Sequence, residues 1–367
     1  MSRYWSPLAA SLVPYVPGEQ PKDKSYVKLN TNENPYPPSP RVLAAIREAA
    51  NADLRLYPDP SCTVLVEKAA AYYGVRPEQV FIGNGSDEIL AFAFAAFFSP
   101  DGPPVRFPDI TYSFYKVYAA LYDIPYKTVE LDEQFCVPLE AIGERGGGIV
   151  LPNPNAPTGV YIETDKLAGL AAGNPEHVVI LDEAYIDFGG HSAVRLTAEH
   201  ANLLVVHTLS KSRSLAGLRV GVAIGHPDLI EGLNRVKNSF NSYTIDRLAL
   251  AGATAAFDDQ AYFEETTRRV VATRERTVAK LRELGFRVLD SRANFLFVSH
   301  PALSADRLFQ ELKKSGVLVR YFKQPRIDNF LRISIGTDEE MLILVQALNT
   351  ILQAGIHNQT SPKGDFR

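Results

Sequence analysis

The feature that most constrains the fold is a series of seven short apolar runs between residues 75 and 225. They occupy residues 80–82, 104–107, 125–131, 149–151, 178–181, 203–206 and 220–224. Within a run the apolar residues are continuous rather than alternating, which is typical of strands buried on both faces. Helical or turn-rich stretches separate the runs. We therefore predict a mostly parallel sheet covered by helices, with a ligand site at the carboxyl ends of its strands.

The rest of the chain predicts additional parts around this sheet. A length of 367 residues with 46% hydrophobic content favours two domains over one. Residues 1–40 are rich in proline and are predicted to form an extended arm rather than a packed element. A charged helix is predicted near residues 261–284. Beyond it, three strand-like segments at residues 286–299, 317–322 and 330–335 are interleaved with a helix near residues 305–314. This pattern predicts a smaller α+β domain.

These patterns divide the chain into three predicted parts. Residues 1–40 form the arm and contribute to the small domain. Residues 41–250 form the large ligand-binding domain, and residues 251–367 form the small C-terminal domain.

Charge and composition exclude several classes of function. The formal net charge is −4, and nothing in the charge pattern suggests a nucleic-acid or membrane surface. No stretch reaches the roughly 18 apolar residues of a membrane-spanning helix. Cys62 and Cys136 do not have the spacing of metal ligands, and no metal site is predicted. We expect a soluble cytoplasmic protein whose partners are small molecules.

The sharpest chemical motif follows the run at residues 203–206. It reads Thr-Leu-Ser-Lys at residues 208–211, with Gly-Leu-Arg-Val-Gly at residues 217–221. A lysine at a strand end is most often solvated. Here Ser210 and Arg219 flank Lys211 at a spacing that could hold a phosphate. A lysine amine in such a setting could form an imine with an aldehyde.

A second motif, Asp-Glu-Ala-Tyr at residues 182–185, follows the run at residues 178–181. Asp182 is either a turn or cap residue, or a carboxylate paired in an apolar surround, where an unpaired charge is costly. A protonated pyridine nitrogen would be a fitting partner for it. Tyr185 could then donate to a phenolic oxygen on the same ring.

Two loops complete the pattern. Residues 83–88 (Gly-Asn-Gly-Ser-Asp-Glu) connect a strand to an apolar helix, where glycines and the free N–H groups of the helix favour an anion. Ser86 or Asp87 could equally be a simple N-cap. Residues 153–159 (Asn-Pro-Asn-Ala-Pro-Thr-Gly) form a rigid loop by composition, either an ordinary turn or the support for an asparagine facing a ligand.

Taken together, the motifs resemble those of the histidinol-phosphate aminotransferase family, within the class I and II aminotransferases that depend on pyridoxal 5'-phosphate (PLP). The resemblance covers nearly the whole chain. It includes the four motifs above and five further segments, at residues 29–36, 55–58, 111–112, 293–295 and 331–337. It implies the PLP-dependent transferase fold type I, an α/β fold with a mostly parallel seven-stranded sheet in a large domain plus a smaller α+β domain.

The resemblance also implies roles for individual residues around the cofactor. Lys211 would be the Schiff-base lysine and proton shuttle, Asp182 would pair with the pyridine nitrogen, and Tyr185 would contact the ring oxygen. Many members have an asparagine directly before the proline of the Pro-Thr-Gly loop, where this chain has Ala156, so Asn155 would act from one residue back. The remaining cofactor-binding residues would be Ser86, Asp87, Tyr112, Ser210 and Arg219, with Tyr57 entering from the other subunit of a homodimer.

The resemblance leaves three reactions open. The first is transfer of an amino group between L-histidinol phosphate and 2-oxoglutarate, giving imidazole acetol phosphate and L-glutamate in histidine biosynthesis. The second is transfer from aromatic amino acids, and the third is decarboxylation of a phosphorylated amino acid. A PLP-sensing regulator would need an additional DNA-binding module, for which the arm is too short. Tyr15, Arg320 and Arg332 are the residues expected to bind substrate.

Overall fold

The structure, a computed structural model, describes residues 3–15, 18–144 and 146–360, the last six by backbone only. The α-helices are α1 (Pro7–Ser11), α2 (Pro40–Ala49), α3 (Thr63–Tyr73), α4 (Gly85–Phe97), α5 (Phe114–Leu121), α6 (Leu139–Ile142), α7 (Thr164–Gly173), α8 (Pro227–Phe240), α9 (Arg247–Asp258), α10 (Gln260–Glu283), α11 (Ala305–Lys314) and α12 (Asp338–Thr360). Short 3₁₀ helices occupy Ala52–Arg55, Pro77–Gln79, Ile186–Phe188 and Ala193–Ala198.

The strands form three sheets. They are β1 (Val27–Lys28), β2 (Val80–Asn84), β3 (Val105–Pro108), β4 (Tyr126–Val129), β5 (Ile149–Pro152), β6 (Val179–Asp182), β7 (Leu203–Thr208), β8 (Val220–Gly225), β9 (Arg287–Val288), β10 (Phe295–Ser299), β11 (Val317–Leu318), β12 (Arg320–Tyr321) and β13 (Leu331–Ser334).

The main sheet has seven strands in the order β2-β8-β7-β6-β5-β3-β4. Only β8 runs against its neighbours, and each strand coincides with one of the seven apolar runs. The prediction of a mostly parallel seven-stranded sheet is therefore confirmed. The run at residues 125–131 differs from the others because β4 is an edge strand, and it exposes Tyr126 and Lys127 rather than burying both faces.

The direction of the strands determines where the polar motifs meet. Strands β5, β6 and β7 are parallel neighbours, so the residues that follow them emerge at one edge of the sheet. Strand β2 has the same direction because β8 is antiparallel to both β2 and β7. The same edge therefore carries the end of β2, the ends of β5 to β7, and the start of β8.

A second sheet, β12-β13-β10-β9, is antiparallel. The N-terminal arm reaches this region: β1 pairs in parallel with β11, and Leu29 is buried in a core formed mainly by residues 270–352. The expectation of a purely extended arm was wrong in part, because residues in it form α1 and β1. A serine cap at Ser6 and a proline in the first turn favour α1 locally.

The division into domains stays a prediction. A border at residue 250 would fall within α9, whose Ala249, Ala253 and Phe257 pack in the core beneath the main sheet. Residues 361–367 of the predicted small domain lie outside the described residues. Over the described part of the chain, no helix is both long enough and apolar enough to cross a membrane.

Candidate active site

A cavity of about 560 Å³ opens at the edge of the main sheet where the motifs converge. It contains eleven of the predicted site residues: Tyr15, Ser86, Asp87, Tyr112, Asp182, Tyr185, Ser210, Lys211, Arg219, Arg320 and Arg332. These residues come from the arm, from the strand ends and connecting segments of the main sheet, and from β12 and β13. The polar motifs are therefore brought into one site, as expected from the strand ends.

Lys211 lies three residues beyond the end of β7 and is held mainly by the arm. Its Nζ donates to the carbonyl oxygen of Thr31 at 3.2 Å and lies 5.8 Å from the centre of the Tyr185 ring. The carbonyl oxygens of Lys211 and Ser212 accept hydrogen bonds from Asn34 Nδ2 at 3.0 and 3.2 Å. The amine is thereby directed into the cavity.

Asp182, at the end of β6, is 5% exposed. Burial raises the pKa of Asp182 to about 6, against the opposing effect of two hydrogen-bond donors. The hydroxyl of Tyr115 donates to Oδ2 at 2.8 Å, and the backbone N–H of Ala184 donates to Oδ1 at 3.3 Å. A cationic group in the cavity would stabilise the charged carboxylate further.

An anion site lies where α4 begins. The first N–H groups of this 13-residue helix have no partner within the helix, and the helix dipole favours negative charge there. Arg219 lies beside them with a φ of +55°. Its guanidinium donates to Asp87 Oδ2 at 3.0 Å and to Ser210 Oγ at 3.3 Å. Asp87 Oδ1 accepts from Tyr112 at 2.8 Å, so both carboxylate oxygens of Asp87 are held by protein donors.

Close packing of backbone forms the floor of this anion site. A Cβ at Gly221 would lie 2.6 Å from the backbone carbon of Gly85 and the nitrogen of Ser86, so β8 approaches the start of α4 without space for a side chain. Gly85 has a φ of +76°, and a Cβ there would lie 2.5 Å from Arg219 Nη2. The glycines of the two motifs thus allow Arg219 and the helix terminus to converge.

Two arginines of the second sheet also line the cavity. Arg320 and Arg332 are directly opposite each other on β12 and β13, an arrangement that is unfavourable for like charges. Burial lowers the pKa of Arg332, and the charge of Arg320 lowers it further. Arg332 Nη2 donates to Asn30 O at 3.1 Å, while its Nε is buried without a partner among the residues that the structure describes. This pair is suited to a second anion.

Tyr15 and Tyr185 line the same cavity. The Tyr15 ring packs on Phe114 with centroids 4.5 Å apart. The Tyr185 hydroxyl accepts a hydrogen bond from Asn32 Nδ2 at 3.1 Å, which leaves its own proton available to a ligand. Asn32 is buried and has a φ of +55°.

Two predicted residues are not among those lining this cavity. Asn155 is buried, and its Nδ2 donates to Ile110 O and Thr158 Oγ1, both at 3.0 Å, while Oδ1 has no partner in the described part of the chain. Ala156 lines the cavity in its place. Tyr57 is 77% exposed and stacks on Tyr243 with centroids 4.6 Å apart. Both assigned roles stay predictions.

Sequence reasoning gave no role to several residues that contact the site. Tyr115 was one tyrosine among several, and Thr31, Asn32 and Asn34 were only part of the motif at residues 29–36. The Asn-Glu-Asn-Pro sequence at residues 32–35 was the signal that could have indicated a role for Thr31, Asn32 and Asn34. Among the described residues, no cluster of three or more His, Cys, Asp or Glu side chains could hold a metal ion.

Comparisons with known proteins place this geometry in a family. The family model described as aminotransferase class I and II matches residues 24–348. A histidinol-phosphate aminotransferase of Clostridium beijerinckii is 60% identical over 96% of this chain and 98% of its own length. Histidinol-phosphate aminotransferase 1 of Pseudomonas aeruginosa is 55% identical over 95% and 99% of the two chains.

A solved structure gives the same result for the fold. It is histidinol-phosphate aminotransferase from Sinorhizobium meliloti in complex with pyridoxal-5'-phosphate. The TM-score is 0.87 at 26% identity, covering 96% of this chain and 99% of the other. The predicted resemblance and the predicted fold are both confirmed, and this chain belongs to the aminotransferase class I and II family.

Proposed function

We propose that this protein is a PLP-dependent aminotransferase that converts L-histidinol phosphate and 2-oxoglutarate to imidazole acetol phosphate and L-glutamate. The observation that carries the proposal is that Lys211 and Asp182 line one cavity together with the residues of two anion sites. One anion site suits the phosphate of a cofactor, and the other suits the phosphate or carboxylates of a substrate. The two relatives named above, 60% and 55% identical, bear the same enzyme name.

The residues present fit PLP. The N-terminus of α4, Ser86, Ser210 and Arg219 would hold its phosphate, and the carboxylate of Asp182 would face its ring nitrogen. Asp182 is a buried acid whose pKa is raised, and its hydrogen-bond donors among the described residues are uncharged, so a protonated ring nitrogen would satisfy it. When bound, PLP supplies an acceptor for the electron pair released when a substrate Cα–H bond breaks.

The chain's own residues would then position and move protons. Lys211 Nζ, as a free amine, would take a proton from the substrate carbon and return one, acting as a general base and acid. Tyr185 would donate to the ring oxygen, because Asn32 already donates to the Tyr185 oxygen. Tyr112, held by its bond to Asp87, would cover one face of the ring. Asn155 is a weaker partner for the ring oxygen in this proposal, since its amide group donates to Ile110 and Thr158.

A half-reaction screen tests the proposed function. Each candidate amine would be added to purified holoenzyme without acceptor, and conversion of the cofactor to its amine form would be followed by absorbance. We expect L-histidinol phosphate to react with the highest kcat/KM and 2-oxoglutarate to reverse the change. Faster reaction of phenylalanine or tyrosine would favour the aromatic alternative. Release of CO₂ from a phosphorylated amino acid would favour the decarboxylase.

Substitution of Gly85 tests the phosphate site. We expect Gly85→Ala to weaken PLP binding by about tenfold, because the new Cβ would displace the Arg219 guanidinium that makes a charged hydrogen bond. Gly74→Ala is a matched control. Gly74 also has a left-handed φ, of +68°, but no atom lies within 4 Å of a Cβ there. Titration of the apoproteins with PLP measures the effect, and equal affinities of the two variants would contradict it.

The proposed enzyme is a homodimer with shared sites and is cytoplasmic. Tyr57 would reach the cofactor phosphate of the other subunit. It is exposed and stacks on the exposed Tyr243, and exposed aromatic side chains of this kind are suited to an interface.

Hybrid dimers test the shared site. A Tyr57→Phe subunit and a Lys211→Ala subunit, carrying different tags, would be co-expressed and the hybrid purified by both tags. One of its two sites regains both native groups, so we expect the hybrid to have about half the activity of the native dimer. The two parent variants should each be much less active. An active monomer in sedimentation, or a hybrid no more active than the mean of its parents, would contradict the arrangement.

A further inference from the structure

Tyr115 contacts Asp182 but is not one of the residues that line the cavity. Its side chain on α5 is fully buried, and its hydroxyl donates to Asp182 Oδ2 at 2.8 Å. The other carboxylate oxygen accepts the N–H of Ala184 at 3.3 Å. Asp182 lines the cavity, while Tyr115 is not among its lining residues. The two donors therefore fix the carboxylate from the protein side and leave its remaining lone pairs to a ligand.

We propose that Tyr115 is a positioning residue for the cofactor: through its hydrogen bond, it orients the Asp182 carboxylate toward the ring nitrogen of PLP and favours its charged form. This inference rests on the proposed function. It assigns Tyr115 an action through Asp182 alone, with no contact to cofactor or substrate.

The energetics support this role. A buried carboxylate is stabilised in its charged form only by the donors and cations around it. Asp87 acts in the opposite direction because its negative charge disfavours ionisation of Asp182, and His207 offsets this in part. Loss of the Tyr115 hydroxyl would leave Oδ2 without its protein donor. Asp182 would then favour the neutral form, which attracts a ring cation less.

The surroundings of Tyr115 make a clean substitution possible. Its ring packs against Phe107 and Tyr112, with centroid separations of 5.8 and 5.7 Å. Phenylalanine keeps these contacts and removes only the oxygen. Tyr122→Phe is the control, since Tyr122 caps the end of the same helix and is not a partner of Asp182.

The test is the dissociation constant of PLP, measured by fluorescence titration of the apoprotein. We expect Tyr115→Phe to raise it about tenfold and Tyr122→Phe to leave it unchanged. Thermal unfolding of the apoproteins reports on the fold independently. We also expect kcat to fall, with little change in the KM for 2-oxoglutarate.

A double-mutant cycle distinguishes action through Asp182 from a structural role. In an Asp182→Asn background, Tyr115→Phe should change PLP affinity by less than about twofold, because the carboxylate charge through which Tyr115 acts on the ring nitrogen is already removed. A tenfold loss in both backgrounds, or no loss in the native background, overturns the role of Tyr115. Failure of the proposed function has a different signature, in which the native protein does not bind PLP or its cofactor does not react with any amine.

Discussion

Lys211→Ala is expected to lower turnover by several orders of magnitude while leaving weak, non-covalent PLP binding. The substitution removes both the nucleophile that would hold the cofactor and the group that would move the proton. The anion site at α4 and the carboxylate of Asp182 remain, so part of the affinity for PLP should persist. Equilibrium dialysis would measure the binding, and single-turnover absorbance would measure the loss of reaction.

The covalent attachment can be located directly. Borohydride reduction of the native holoenzyme should fix the cofactor to Lys211, and peptide mass spectrometry would identify the labelled residue. Lys116 and Lys237 serve as internal controls: Lys116 is exposed and lines a neighbouring cavity, and Lys237 Nζ donates to Pro60 O at 2.8 Å. A label on either of them, or full turnover in Lys211→Ala, would refute the central assignment.

The main sheet could be predicted because burial on both faces leaves a direct mark on sequence. The runs at residues 149–151, 178–181 and 203–206 are continuous and apolar because β5, β6 and β7 lie inside the sheet. Asp182 and Lys211 are conspicuous for the same reason, because each is a polar residue that follows such a run. The edge strand β4 is partly solvated, so its sequence mixes exposed polar and buried apolar residues. Its burial was therefore predicted less well than that of the inner strands.

The contacts that complete the site depend on tertiary structure. Asn32 meets Tyr185, 153 residues away, and Tyr115 meets Asp182, 67 residues away. No local pattern encodes such pairs, because propensity and periodicity describe neighbours in sequence. The left-handed backbone of Asn32 is equally invisible, although asparagine tolerates it better than most residues do. The arm was predicted as extended because its prolines suggest no partner, whereas β1 gains one in β11.

The arginine pair gives the second large expected effect. Arg320→Ala is expected to lower kcat/KM for L-histidinol phosphate by about 100-fold, because a charged hydrogen bond to phosphate is lost. Arg332 remains, still bonded to Asn30 O, so binding is weakened rather than abolished. The ratio kcat/KM is the appropriate measure, since it reports the loss of transition-state stabilisation relative to free enzyme and substrate. The exposed Arg307 on α11 provides a control, and Arg307→Ala should leave kcat/KM unchanged.

The substrate can be varied together with the enzyme. L-histidinol lacks the phosphate, so Arg320→Ala should change its kcat/KM by only a fewfold. The loss of kcat/KM from removing Arg320 and the loss from removing the phosphate should therefore not be additive. Phenylalanine, whose side chain is uncharged, should likewise be affected far less than histidinol phosphate. The facing charges of Arg320 and Arg332 also predict that inorganic phosphate raises the Tm of the native protein more than that of Arg320→Ala, because an anion relieves their repulsion. If tyrosine or phenylalanine is the better substrate and Arg320→Ala leaves that preference unchanged, the arginine pair does not select a phosphate, and the proposed substrate is wrong while the aminotransferase assignment stands.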